Sequence, residues 1–465
     1  MKRDLTQGSV TGNLVATAIP IMLGSMAQML YELVDMAWVG QLSASSVAAV
    51  TIFTTIYFMT FVLNNIVGNS SVSLISQSFG SKDHERTERV VEQTLVFKAL
   101  LAVVASVITL PLLPYLLRLF TDDAVVLNEA LAYGQLRIIM LPVMFSSLTV
   151  ATALRCVGDS KRAMQIMFVS AGLNVVLDPL LIFEQVPLLG IPGMGLGIFG
   201  AALATEISAA LAFIFGAWIL FSGKSQVQPK LHGLLRLDWE IDWQLLKIGL
   251  PLSLESLLRS VGDVLVLRLV SGFGTIALAA MGIVQRLVGF LFVPLNGLMS
   301  GGSTIVGQNL GAQDVGRAEQ TAKAAAWLGL GSMTALSLLV VLLQTQIFRL
   351  FTADPAVIDM GRSALIALLP MLVIAGFTLG LAAALAGAGY NMPFLVSGIV
   401  ARWVVQIPFL LVTVKLLHLP FIYAAFSFTV SELAGSCIIV AAYLRGRWRT
   451  WRVIKSEPAA EPATA

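Results

Sequence analysis

Apolar stretches of about 20 residues, each long enough to cross the hydrocarbon of a bilayer as a helix, recur along almost the whole chain. They fall at 14–39, 46–78, 91–117, 128–154, 163–184, 197–221, 245–270, 276–307, 321–347, 357–387, 394–416 and 420–444. The second and eighth are over-long, which predicts tilt or extension beyond the bilayer. Barrel strands would give shorter, alternating segments, and the sequence shows none. Only 12% of the 465 residues are charged and 57% are hydrophobic, whereas a soluble domain carries about 25% charged residues. So few charges cannot cover a soluble globule of this size, and lipid must solvate much of the surface. The expected fold is an all-α membrane protein with twelve transmembrane helices. A net charge of +3 gives no reason to expect a nucleic-acid partner.

Lysine and arginine set the orientation. With the N-terminus inside, the inner segments hold Lys2, Arg3, Lys82, Arg86, Arg89, Arg155, Lys161, Arg162, Lys224, Lys230, Arg236, Lys247, Arg317, Lys323 and the tail from Arg445 to Lys455. The outer connections hold Arg118, Arg268, Arg349, Arg362 and Lys415. That bias places both termini in the cytoplasm, in a multi-pass protein of a bacterial inner (plasma) membrane. The first apolar stretch lacks a small-residue cleavage site and reads as a retained helix. Cys156 and Cys437 stand far apart without a CxxC and read as small core residues.

The chain is also an internal repeat. Shifted by 231 positions, Pro20 falls on Pro251 and Asn65 on Asn296, and the loop SQSFGSKDHERTER falls on GQNLGAQDVGRAEQ. Chance apolar similarity would not keep a polar loop in register. After a slip around Pro142 and Pro370, Ala153-Leu154 and Gly158 match Ala384-Leu385 and Gly389. Six spans per half give both halves the same orientation, a parallel repeat about an axis along the membrane normal. The expected organisation is a six-helix bundle over 1–221, a cytoplasmic linker over 222–244, a second bundle over 245–450 and a disordered tail over 451–465. Two pseudo-symmetric bundles leave a central cleft that can open to either side. Duplication that merely enlarges a bundle is the plainer alternative.

Ionisable residues inside spans cost about 2.5–3.5 kcal/mol each on insertion scales and need a reason. In the second half, Glu255, Arg259 and Asp263 follow one another at one-turn spacing, which permits neutralisation within one helix. The first span carries Glu32 and Asp35 with no basic residue beside them, and Val266 lies at the repeat position of Asp35. The fifth span places Asn174 and Asp178 on one helix face, and the sixth carries Thr205 in GAALAT. Counted at about 1.5 Å per residue, Asp35, Asn174, Asp178 and Thr205 share the outer third of the bilayer. Two carboxylates, an amide and a hydroxyl suit a proton or a hard cation such as Na⁺, in which case these four are also the metal ligands. A hydrogen-bonded cluster without transport duty stays open.

Other signals point away from catalysis. Gly195, Gly197 and Gly200 form GxGxxG without a preceding strand and read as helix packing. Gly223-Lys224-Ser225 lacks the earlier Walker A glycine, HERTE at 84–88 is not HExxH, and no catalytic triad is recognisable. The chain is expected not to be an enzyme, to use no cofactor beyond H⁺ or Na⁺ as coupling ion, and to draw on an ion gradient. Met22, Met26, Met29 and Met36 offer an adaptable apolar lining, or ordinary core filler.

In their order, Pro20, the YxxVDxxWVG pattern at 31–40, the duplicated loops, NVVLDPLLIF at 174–183 and GAALAT at 200–205 resemble the multidrug and toxic compound extrusion (MATE) family, DinF-like branch, to about residue 450. The resemblance implies export of small, amphipathic, often cationic drugs or toxins by alternating access, in antiport with H⁺ or Na⁺. It implies that Asp35, Asn174, Asp178 and Thr205 match a first-lobe cation site, supported by Glu32, and that the first helix bends near Pro20. NorM-like relatives place an acid in the seventh span where this chain has Arg259, so no second-lobe site is assigned. The expected partners are small molecules and membrane lipids, and the chain is expected to be monomeric. The alternatives are a flippase for a lipid-linked precursor, whose cleft needs basic residues for phosphate, and a non-transport membrane protein.

Overall fold

A computed structural model describes residues 4–187 and 190–453. The first half comprises α1 (Val10–Gly40), α2 (Ala44–Gly80), α3 (His84–Arg118), α4 (Ala124–Ile139), α5 (Leu141–Cys156), α6 (Ser160–Ile182) and α7 (Gly197–Phe221). The second comprises α8 (Trp239–Val270), α9 (Thr275–Gly311), α10 (Val315–Arg349), α11 (Pro355–Ala388), α12 (Met392–Leu416) and α13 (Phe421–Leu444). Ten of these helices are long and apolar enough to cross a membrane, and the bent pair α4–α5 makes an eleventh span. The twelfth is α8, whose 32 residues include Glu255, Arg259, Asp263 and Arg268. Lys2, Arg3 and the tail beyond Val453, Lys455 included, lie outside the described residues.

The 231-residue offset reappears in the helix ends: α2 maps on α9 and α3 on α10 at both ends. Local chemistry explains the shared boundaries. Asp83 and Asp314 cap α3 and α10 through their side chains, and each follows a left-handed residue, Lys82 or Gln313. The side-chain oxygen at the N-cap takes up an amide that the first turn leaves unpaired. The α8 helix starts inside the stretch expected as linker, because Asp238 accepts from the amides of Glu240 and Ile241 and so caps it at Trp239. Gly195 and Gly197 adopt left-handed backbone, and a Cβ on Gly200 would lie 2.5 Å from the Leu181 carbonyl oxygen, so this motif packs α7 onto α6. Cys156 is buried; Cys437, expected in the core, is exposed.

The fourth span, expected as one helix over 128–154, is broken between α4 and α5 with a bend of 52°. Pro142 has no amide to donate to the carbonyl one turn back. The Ser106 hydroxyl supplies the missing donor, 2.6 Å from the Ile138 oxygen. The second half keeps α11 continuous through Pro370. The sequence slip between the halves is thus a local change of geometry.

The halves meet on the face that carries the first and last described segments, where Leu5 lies by Asn309 and Val453 by Gln77. Gln77 Nε2 donates to the Gly387 carbonyl at 3.0 Å, and its repeat partner Gln308 donates to the Cys156 carbonyl at 2.7 Å. A Cβ on Gly80 would stand 1.9 Å from the Gln308 oxygen, and one on Gly311 2.0 Å from that of Gln77. Glycine is required at both places by this reciprocal approach. Farther in, Gly301 and Gly297 of α9 pack on Ala18, and Gly249 of α8 packs on the Ile66 carbonyl. The cleft between the halves is closed on this terminal face.

Candidate coupling site in the first half

The four residues that sequence placed at one depth come together. Asp35, Asn174, Asp178 and Thr205 are all buried. The one-turn spacing on α6 lets Asn174 Nδ2 donate to Asp178 Oδ1 at 3.1 Å, and its second hydrogen reaches Thr205 Oγ1 at 3.3 Å. The Thr205 hydroxyl in turn donates to the Ala201 carbonyl at 3.1 Å. The side chain of Asp35 extends from α1 to within hydrogen-bond reach of Asp178. Two buried carboxylates at that distance need a proton or a cation between them.

The cluster is short of donors. Asp35 Oδ1, Asp178 Oδ2 and Asn174 Oδ1 are buried without a hydrogen-bond partner, and a buried unpaired acceptor costs about 1–3 kcal/mol. All three are oxygens, the ligand type a hard monovalent or divalent cation takes. Among the described residues, no group of three or more His, Cys, Asp or Glu could hold a metal ion, so a soft-metal centre has no ligand set here. Asn174 and Thr205 also line a cavity of about 50 Å³ between α1, α5, α6 and α7.

Neither supporting residue hydrogen-bonds the four among the described residues: Glu32 stands within electrostatic reach of Asp35, and Pro20 is the expected hinge. Glu32 is exposed and accepts from Gln28 Nε2 at 3.2 Å. Pro20 lies 15 residues before Asp35, about 22 Å along the helix, and α1 runs through it unbroken.

Sequence reasoning missed a buried ion pair beside the acids. Arg137, in the last turn of α4, contacts Glu206 of α7 at 3.3 Å, donates to the Tyr133 hydroxyl at 2.8 Å, and lies 4.8 Å from the centre of the Tyr57 ring. It stands within electrostatic reach of Asp35 and Asp178. The acids therefore have a basic neighbour in space, though not in sequence. A signal was present: Arg137 and Glu206 map on Leu368 and Cys437 in the second half.

In the second half, Arg259 Nε pairs with Glu255 Oε1 at 3.1 Å as the spacing predicts. Asp263 does not continue that ladder. Its Oδ1 instead meets Arg402 Nη2 of α12 at 2.7 Å. The cause is Gly262, where a Cβ would lie 2.4 Å from Arg402 Cγ; the missing side chain leaves the arginine stem room to cross α8. Glu432 of α13, half-buried, accepts from Ser436 at 3.4 Å.

The halves can be matched one by one to known sequences. The family model MatE matches twice, over residues 20–180 and 251–412. The probable multidrug resistance protein YoeA of Bacillus subtilis (strain 168) is 30% identical over 393 residues, 84% of each chain. A solved MOP superfamily transporter from Pyrococcus furiosus superposes with a TM-score of 0.86 at 26% identity, over 96% of this chain and 97% of that one. A MATE solved in a bent conformation gives a TM-score of 0.85 at 26% identity, covering 96% of both chains. A twelve-helix, two-lobed membrane protein whose two halves each match MatE belongs to that family, and the chain is a member of the MATE family of multidrug efflux transporters.

Proposed function

We propose that this chain exports small amphipathic, often cationic organic compounds from the cytoplasm in exchange for H⁺ or Na⁺, and that Asp35, Asn174, Asp178 and Thr205 bind the coupling ion. The observation that carries the reading is the set of three orphaned, buried oxygen acceptors on Asp35, Asp178 and Asn174, the two carboxylates lying within hydrogen-bond reach of each other. A proton or a small cation is the ligand that satisfies them. The relatives' names as multidrug resistance and export proteins support the cargo class. Lys82, Arg86, Arg89, Arg317 and Lys323 all lie on the terminal face, and this supports a cytoplasmic assignment for it in the plasma membrane. One chain forms both walls of the cleft, which fits a monomer.

Asp35 links the ion to movement. It sits on the half of α1 beyond Pro20, where the only buried residues are Gly24, Asp35 and Val39 besides Ile21. Few side chains of that segment are buried, so neutralising Asp35 changes a large share of what it buries. Proline at position 20 removes one backbone hydrogen bond and lowers the cost of bending there. A relative that adopts a bent conformation supports such a cycle. Neutralisation bends α1, shrinks the cavity beside Asn174 and Thr205, and drives cargo outward. A lipid-precursor flippase fits less well, since of the four arginines within the spans Arg137, Arg259 and Arg402 are already paired with carboxylates, which leaves Arg286 for a phosphate.

The test uses purified protein in proteoliposomes loaded with a cationic dye. Efflux should require an opposing H⁺ or Na⁺ gradient, and dye affinity should fall between pH 8 and pH 5, or on adding Na⁺. Dye movement that ignores both ions would overturn the reading.

A further inference from the structure

The chain does not leave the bundle at the end of α13. Gly446, in left-handed backbone, turns it back, and one helical turn follows over Arg447–Thr450. Trp448 is fully buried there: its ring stacks on Tyr443 at 5.4 Å, and its Nε1 donates to the Tyr443 carbonyl at 3.1 Å. Arg449 Nη2 meets Glu319 of α10 at 3.1 Å, and the Trp451 ring packs on Tyr390, just after α11, at 5.1 Å. All of these partners belong to the second half.

At Val453 the segment reaches the first half. The Val453 amide donates to Gln77 Oε1 at 3.3 Å, while Nε2 of the same glutamine holds the seam bond to Gly387. The Val453 side chain is buried in an apolar cluster with Leu74 and Ile75 of α2 and Leu245 and Ile248 of α8. A Cβ on Gly389 would lie 2.7 Å from Val453 Cγ1 and 3.0 Å from Ser73 Oγ of α2. Val453 therefore fills the corner where α2, α8 and the end of α11 meet. The seam bond itself does not need such a neighbour, since Gln308, the repeat partner of Gln77, bonds to Cys156 without a tail amide.

Arg449 and Trp451 hold the segment to one half and Val453 holds it to the other. Both sets of contacts are kept only while the terminal face is closed. Contacts made in one of two states shift the population toward that state. We propose that residues 446–453 are a latch, which holds the terminal face closed and must release Val453 before the cleft can open there. The proposal rests on the alternating-access reading above. The grip on the second half is the firmer one, with buried Trp448 and an ion pair against one valine and one amide, so the latch parts at Val453 and stays with α13.

The buried Cys156 reports on the seam. Its carbonyl accepts from Gln308, and its thiol lies within hydrogen-bond reach of Ser76 in one half and Thr304 in the other. Replacing the exposed Cys437 by alanine leaves it as the sole cysteine. A maleimide then reaches it when the halves part, at a rate set by the open population. Val453→Asp puts a charge where the valine is buried and should favour release. In folded, full-length protein it should be labelled at least about tenfold faster than the parent, the factor given by about 1.4 kcal/mol. Arg449→Gln and Trp451→Ala, whose partners Glu319 and Tyr390 lie in the second half, should raise the rate by a smaller factor. If Val453→Asp is poorly folded, Val453→Ser takes its place. Parent-like labelling of the Val453 variant overturns the latch. So does a rise confined to that variant, which would be local loosening of the cluster that Val453 shares with Cys156. A rise in all three variants, in protein that shows no ion-driven dye efflux, keeps the latch and removes the export reading.

Discussion

The two halves share helix ends, caps and the glutamine–glycine seam, yet differ in where they keep charge. The first half buries it: Asp35, Asp178, Glu206 and Lys98 are all within the bundle. The second half replaces Asp35, Asn174, Asp178 and Lys98 by Val266, Val405, Phe409 and Gly329. It pairs most of its charge within or between helices, Arg259 with Glu255 and Asp263 with Arg402, and the side chains of Arg259 and Asp263 are 55% and 53% exposed. The same backbone closes in both cases, so the fold itself does not require these four groups at their positions. Each burdens the first half with desolvation that the second avoids, and a shared function is the economical reason to keep them. Only the hydroxyl of Thr205 has a counterpart, in Ser436.

The largest effect should come from removing this difference at the acids. Asp35→Asn and Asp178→Asn should each reduce ion-driven dye efflux to background while expression and melting temperature stay close to the parent. Glu255→Gln, in the other half, should leave efflux within about threefold of the parent, because its partner Arg259 remains solvated there and an exposed pair is worth about 1 kcal/mol or less. Efflux assays on the three purified variants decide the matter. Loss of transport in Glu255→Gln with retention in Asp35→Asn would place the coupling acid in the wrong half.

Next in size is the Arg137–Glu206 pair. Arg137→Leu installs the residue the second half has at Leu368 and strands Glu206 in the bundle, an outcome that costs about 3–5 kcal/mol for buried pairs. Arg137→Leu combined with Glu206→Leu removes both charges and should recover most of that loss. Thermal melts of the two variants in detergent measure the gap. Equal melting temperatures would mean that Glu206 does not depend on Arg137.

Much of this could be read from the chain. Span positions, the repeat and the common depth of Asp35, Asn174, Asp178 and Thr205 follow from hydropathy, a register and helical rise, all of which are local quantities. Pairings between helices do not follow. Asp263 stands one turn from Arg259, yet its partner is Arg402, because Gly262 opens a path for a side chain from α12. Arg137 meets the acids from the last turn before the break in the fourth span, where Ser106 takes up the Ile138 carbonyl, and spacing alone does not show that break. Glu32 looked equivalent to Asp35 in composition but turns to the exposed side of α1. One-dimensional spacing gives the face of a helix; what that face meets depends on its neighbours.

The smallest effect concerns how each half is laced to the other, and here the halves differ in chemistry while agreeing in place. The segment before α1 crosses to the second half, where the Gln7 carbonyl accepts from Arg317 Nη2 at 2.7 Å. The segment before α8 crosses to the first half, where Asp238 Oδ2 pairs with Arg89 Nε at 2.8 Å. A backbone carbonyl does not titrate between neutral and acid pH, and a carboxylate does. Partial burial pulls the pKa of Asp238 up, but the Arg89 hydrogen bond and charge and the amides of Ile241 and Glu240 outweigh it and hold the group below its ordinary value. A depressed folded-state pKa means stabilisation that is complete above the unfolded value, about 3.9, and is lost as pH falls through the folded value. Asp238→Asn keeps a side-chain oxygen for the cap and removes only the ionic partner. It should lower stability at pH 7 by less than about 1 kcal/mol, since the pair is solvent-screened, and the gap to the parent should begin to narrow below about pH 4 and close only once pH falls through the depressed folded value. Gln7→Ala leaves the carbonyl in place and should not shift the melt at either pH. Melting curves of the parent and both variants at pH 7 and at about pH 2, within the range over which such a carboxylate loses its contribution, separate the two laces. A pH-dependent shift in Gln7→Ala, or a gap for Asp238→Asn that persists in acid, would show that the ion pair is not what distinguishes them.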